Sequence, residues 1–327
     1  METSKTTAPV PPADDLVEVK KPTTLLVAQF FLFPLIIIGI CVGIFLLFGY
    51  LVYEQRGPTD YLNDVRNGSG STRWLAAVEL SNQISVNPKL KTPEFVRSVL
   101  AAYTAAKDDD PRVRQFLAFA LGKLGDKQAV PILIQGLKEA EALKSSAATG
   151  PNDLHELVDK AFRSQDQQQL DRREAQTQNQ IYTLIALGLI GDNAAVPGAL
   201  SELHNEDPAV RKVAAYVLGA LGDPSAVHDL QVALNDVKDD VRFNAALSLA
   251  RLGDASGAEL LLKVIDRGFV GAIEGMTPEQ KNELMANAVI GLGKLKYEAA
   301  REKITALSQN ESDLGVRNAA IEALKKY

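Results

Sequence analysis

The chain carries only three imidazoles, His155, His204 and His228, which lie 49 and 24 residues apart in sequence. Its single cysteine, Cys41, lies in an apolar stretch near the N-terminus, so the histidines have no thiolate companion at zinc-type spacing. The acidic runs Asp108-Asp109-Asp110 and Asp239-Asp240 have the residue types of a carboxylate pair for acid–base work. Each, however, immediately precedes a helical pattern. There a carboxylate caps free N–H groups and sits at the favourable end of the helix dipole. Gly122, Gly188, Gly219 and Gly291 recur at one helical position, which suits close packing; no P-loop, G-x-S-x-G or dinucleotide fingerprint accompanies them. These residues predict no enzyme, no cofactor and no metal site.

The elements that would position any remaining function are short helix pairs. In 207–234, DPAVRKVAAYVLGALGDPSAVHDLQVAL, Asp207-Pro208 starts a helix, with a carboxylate cap and a proline at the first helical position. Val210, Val213, Ala214, Val217, Leu218 and Leu221 then form one apolar stripe, and Gly222 stops the helix. Asp223-Pro224 restarts a second helix with Val227, Leu230 and Leu234 inward. A pair this small cannot bury its own apolar face and needs stacked neighbours. The sequence supplies them. Gly191-Asp192, Gly222-Asp223 and Gly253-Asp254 are 31 residues apart, and Gly125-Asp126 lies 66 residues before the first of these. About six helix pairs and a final half-repeat follow, interrupted by insertions at about 138–178 and 268–280. In a stacked array, His228, Glu259, Lys263 and Glu302 occupy matching positions of the second helices. They would line a concave partner-binding strip; an ordinary solvated face accounts for them equally.

The pattern DPxVRxxAAxxLGxLGDxxAVxxL at 207–230, repeated at 110–133, resembles HEAT repeats, and among them the short class named after phycobilisome lyases. The resemblance covers roughly 71–327 and implies an all-α, α-solenoid fold. It also implies a hydrogen-bonded ladder between repeats, from an Asp at the start of the first helix and an Arg four residues later. The matching positions are Asp110 with Arg114, Asp207 with Arg211, and Asp313 with Arg317. Arg242 is kept where Lys238 replaces its Asp, whereas Gln180 and Met285 stand where two further arginines are expected, predicting interruptions there. For function the resemblance implies a scaffold or assembly factor binding protein partners. The alternative it offers is a lyase-like, ligand-handling role similar to phycobilin lyase subunits, for which no chromophore-handling residue carries over.

Residues 1–23 are polar and Pro-rich and predict a disordered tail. The run 24–53 contains no charged residue and, as a helix, would span about 45 Å, against about 30 Å of hydrocarbon. It predicts an uncleaved single transmembrane helix ahead of the solenoid, with the lipid bilayer as a partner. Acidic Asp14, Asp15 and Glu18 upstream and the run's length oppose a signal peptide. Gly39 and Gly43 form a GxxxG that would pack on another membrane helix, although glycines are common in such helices by chance. Residues 54–70 predict a juxtamembrane linker with a single helical turn around Tyr61–Val65. Two Lys on one side of the run and two Arg on the other leave the orientation rule tied. The adjacency of Lys20 and Lys21 tips the expectation to a cytoplasmic tail and extracytoplasmic, periplasmic repeats. A net charge of −6 disfavours nucleic acid, which needs clustered cations.

Overall fold

The structure, a computed structural model, describes residues 34–47, 56–108, 110–147 and 159–327; side chains at 108 and 143–172 are outside the description. The chain divides into two units, Met1–Arg56 and Gly57–Tyr327. In the first, residues 34–47 form helix α1, whose apolar side chains are all exposed. Its 14 residues rise about 21 Å. Among the described residues no helix is long and apolar enough to cross a membrane. The rest of the expected spanning run, 24–33 and 48–53, lies outside the described residues, as does the tail 1–23.

The second unit is helical throughout its described length, with no strand. Its first helix, α2 (Pro58–Asn67), corrects the linker expectation: it has ten residues, and Leu62 and Val65 are buried. Proline at its first turn and two apolar residues three apart let this short segment dock where composition suggested only a turn. It packs on α3 (Ser71–Val86). Then come α4 (Pro93–Ala105), α5 (Pro111–Leu124), α6 (Ala129–Ala147), α7 (Asp159–Ile190), α8 (Val196–Glu202), α9 (Pro208–Leu221) and α10 (Val227–Ala233). The chain continues through α11 (Asp239–Leu252), α12 (Ala258–Val264), α13 (Arg267–Gly271), α14 (Pro278–Leu295), α15 (Arg301–Asn310) and α16 (Leu314–Leu324).

First and second helices of the pairs play different parts. The first helices pack in succession, α3 on α5, α5 on α7, α7 on α9, α9 on α11, α11 on α14 and α14 on α16. The second helices α6, α8, α10, α12 and α15 each pack on the first helix that follows. In α9 the expected stripe is the buried one: Val210, Ala214 and Leu218 are wholly enclosed, and Val213 packs at the edge. Gly222 closes α9 at φ 75°, a left-handed conformation that a side chain would strain. Gly219 serves differently. A Cβ there would stand 2.2 Å from Ser248 Oγ, so the absent side chain sets how closely α9 and α11 approach. Ser248 Oγ in turn donates to the Ala215 carbonyl at 2.8 Å, tying the two helices.

Candidate interaction surfaces

The first helices α5, α7, α9, α11 and α14 end on residues with positive φ: Gly125, Gly191, Gly222, Gly253 and Lys296. Counting from these points aligns the repeats. Eleven residues before them stand Arg114, Gln180, Arg211, Arg242 and Met285. Fourteen residues after the first three stand Glu139, Asn205 and Asp236. Arg211 forks onto Asp236, Nε to Oδ2 at 2.7 Å and Nη2 to Oδ1 at 3.0 Å. Its Nη1 also donates to the Asn205 carbonyl at 2.8 Å and the Glu206 carbonyl at 3.0 Å. One guanidinium therefore clamps the turn before its helix to the turn after its repeat. The bond from Arg211 holds the Asp236 carboxyl below its usual range. Arg114 Nη2 reaches Glu139 at 2.5 Å in the same way. Burial alone would raise Glu139, and the bonds from Arg114 and Gln135 outweigh it, leaving the carboxyl lowered.

The carboxylates of the expected ladder do other work. Asp110, Asp207 and Asp313 each cap their helix, accepting from the backbone N–H of Arg112, Ala209 and Val316. Asp110 also pairs with the Arg112 guanidinium at 2.6 Å. Asp207 and Asp313 bond one repeat back, accepting from Thr177 Oγ1 at 2.9 Å and Asn282 Nδ2 at 2.8 Å. Arg242 donates to the Asp236 carbonyl at 2.8 Å and pairs with Asp239; Arg317 reaches the Ser312 carbonyl at 3.4 Å. At the first substituted position, Gln180 Nε2 donates to buried Glu202 at 3.2 Å, so a shorter polar link joins α7 to α8. Sequence spacing identified the arginines and the caps. The partners at 25 residues' distance were missed, because neither lies in the short Asp-to-Arg motif.

The longer insertion is a helical hairpin. Whereas the second helices α8, α10 and α12 have seven residues each and the first helices α5, α9 and α11 have 14, α6 has 19 and α7 has 32. By the 31-residue period, residues 159–176 of α7 precede the level at which α9 begins, an extension of about 27 Å. The two helices pack together, and Gln115 Nε2 holds the base of α7 by donating to the Ala175 carbonyl at 3.2 Å. The connecting residues 148–158, with His155, lie outside the described residues.

The shorter insertion forms a wall. Helix α13 and the chain to Met276 close one side of a groove of about 800 Å³ beside the turns that precede α9 and α11. Val237 (84% exposed), Phe269, Ile273 and Met276 give it an apolar lining, with Lys238 and Glu274 among its polar groups. The insertion was visible in the sequence, but its apposition to Val237 was not. His228, Glu259, Lys263 and Glu302 are all exposed, on α10, α12, α12 and α15. Among the described residues no hydrogen bond or ion pair joins the four to one another. Glu259 instead accepts from the Tyr297 hydroxyl, a bond that pushes the tyrosine pKa up. Among the described residues no cluster of His, Cys, Asp and Glu could hold a metal. Gly39 and Gly43, on α1, have no atom within 4 Å of where a Cβ would stand.

Models of two related families match this array: HEAT repeats over residues 168–250 and 196–271, and the PBS lyase HEAT-like repeat over 113–139. Among solved structures the chain is similar to the complex of CpcE and CpcF of phycocyanin lyase from Nostoc sp. PCC7120. That match has 21% identity and a TM-score of 0.50, covering 83% of this chain and 87% of that one; at such identity the likeness is one of fold. Human deoxyhypusine hydroxylase in complex with glycerol aligns at 18% identity over 72% of this chain and 88% of its own. Its TM-score of 0.25 is too low to carry an argument. No curated protein matches the chain. Fold and matches together define the class, an all-α array containing HEAT-type repeats.

Proposed function

We propose that this protein is a membrane-tethered HEAT-repeat scaffold that holds a protein partner along the edge carrying the hairpin and the groove. The observation that carries the reading is the groove itself. A valine 84% exposed beside Phe269 and Met276 is an apolar surface that a self-sufficient array has no reason to present. Both the hairpin and the groove wall are inserted where one repeat passes to the next, which supports placing them on one edge. The tether rests on the charge-free run 24–53, with Gly39 and Gly43 as its open packing face. The strip of His228, Glu259, Lys263 and Glu302 would serve as a secondary contact. We place the repeats on the extracytoplasmic side, by the adjacency of Lys20 and Lys21 to the run.

A second reading is a ligand-handling role like that of the phycocyanin lyase whose fold this chain shares; the groove's volume lies within the range of small-molecule sites. Affinity capture from gently solubilised membranes separates the two. Co-purification of a defined protein, lost in Val237→Glu and in a chain lacking 145–165, supports the scaffold. Recovery of a bound pigment or other small molecule with no protein overturns it. Orientation is read from cysteines placed at Ser4 or Gln309 in a Cys41→Ala background, with an impermeant thiol reagent on intact cells, or on permeabilised outer membranes if the source is bacterial. Labelling at 309 alone agrees with the proposal, and labelling at 4 alone reverses it.

A further inference from the structure

The arginine clamp changes hands in the C-terminal part of the array. In two of the repeats an arginine eleven residues before the left-handed cap meets a carboxylate fourteen residues after it: Arg114 with Glu139 and Arg211 with Asp236. Carried forward one repeat, the carboxylate position is residue 267, which is an arginine. Arg242 therefore has no carboxylate ahead of it and turns to Asp239 in its own first helical turn. One repeat further on, the arginine position holds Met285, fully buried. Fourteen residues after Lys296 stands Asn310, and the carboxylate next to it, Glu311, takes the clamp's place: it accepts the N–H two residues on, as Asp236 does in its turn, and it is engaged. Arg267 forks onto it, Nε to Oε2 at 3.0 Å and Nη2 to Oε1 at 2.7 Å, across 44 residues.

Arg267 does more than fill the vacancy. Its Nη1 donates to Asn282 Oδ1 at 2.5 Å, and Asn282 Nδ2 donates to Asp313, the cap of α16, at 2.8 Å. Glu311 Oε1 also accepts the Asp313 backbone N–H at 3.0 Å. Arg267 is the first residue of α13, and two residues later Phe269 enters the groove lining.

We propose that Arg267 is a positioning residue, a clamp displaced from the first helix of its repeat into the preceding insertion, which makes the groove wall and the last helix pair one cooperative body. In the regular repeats the clamp joins two turns of the array. Here the same bonds join the array to the segment that shapes the groove, so the wall at 268–276 and the segment 311–327 open together. The proposal is independent of what fills the groove, and its test reads the protein without a partner. Burial and charge agree with the geometry: the Glu311 side chain is only 5% exposed, and its bond to Arg267 lowers its pKa to about 2.

Hydrogen exchange on the full chain in detergent or nanodiscs tests this. Arg267→Met should speed exchange at least tenfold in both 268–276 and 311–327, while α9 stays within twofold of the parent. Glu311→Gln, close in shape and less disruptive to folding, should reproduce the pattern, and the double variant should add little to either single one. Arg267→Asp with Met285→Arg restores the regular arrangement and should recover protection that Arg267→Asp alone loses. Acceleration in one segment without the other in both single variants, or exchange unchanged in both, overturns the proposal. So does uniform acceleration across all repeats in both, which would mark an ordinary stabilising ion pair.

Discussion

The stretch from α9 to α12 and the stretch from α13 to α16 solve the same stacking problem with different parts. In α9–α12 the repeat is regular: glycine at the left-handed cap and an Asp or Asp-Pro restart recur 31 residues apart. There every stabilising contact lies within one period or between adjacent periods. From α13 onward the spacing is broken by an insertion, and Lys296 at φ 50° replaces the cap glycine. The clamp is rebuilt from an arginine outside the helix that should own it. A solenoid tolerates such substitution because each repeat needs only its neighbours' surfaces, not a particular source for each contact. Irregularity therefore gathers around the extra segment: α11, just before it, starts at Lys238 without a side-chain cap and turns Arg242 onto Asp239, and α14, just after it, lacks the clamp arginine.

Mutations in the regular stretch test the contrast. The largest loss is expected for Leu218→Ala, a wholly enclosed side chain between helices, at about 2–5 kcal/mol in denaturant unfolding. A loss below about 1 kcal/mol would mean that the stripe does not face the inter-helix core. Gly219→Ala should follow at roughly 1–3 kcal/mol, since its new methyl meets Ser248, a neighbour with little room to move. Ser248→Gly should restore part of the loss at most, since the residue's Cα stands 2.7 Å from the new methyl and the bond to the Ala215 carbonyl goes with the side chain. A Gly219→Ala variant as stable as the parent would mean that the helices have room at this crossing. Asp223→Ala removes the acceptor of the Ser225 N–H, at 2.9 Å, and should cost about 1 kcal/mol.

A further effect is read through pH in the irregular stretch. Glu311 has its folded pKa depressed to about 2, chiefly by the Arg267 bond, against an ordinary 4.5. Its contribution is complete above about pH 4.5 and fades as pH falls towards 2. Unfolding followed between pH 5 and 2.5 should show a shallower acid loss in Glu311→Gln than in the parent, and identical slopes would remove Glu311 from the account.

Much of this was legible before any coordinates. Asp-Pro restarts, glycine stops and 3.6-residue apolar periodicity are local signals, each acting within a turn or two of helix. They therefore set the all-α class, the register of α9 to α12 and the caps at Asp110, Asp207 and Asp313. The hairpin was partly legible, since Gln165–Asn179 is made of helix formers. Its extent was not, because a polar helix without an apolar stripe gives no periodicity to read. The docking of α2 was hidden by the Gly-rich composition around it.

In the regular repeats the sequence by itself determined which residues are helical, where helices start and stop, and that their apolar faces must stack. Only the tertiary structure decided which distant side chains meet. Arg211 finds Asp236 at 25 residues and Arg267 finds Glu311 at 44, while Val237 comes to face Phe269 across a groove. Local propensity and periodicity act over one or two turns of chain. Ion pairs and groove walls depend on the stagger between stacked repeats, which insertions shift and which is fixed only when every helix has found its neighbour.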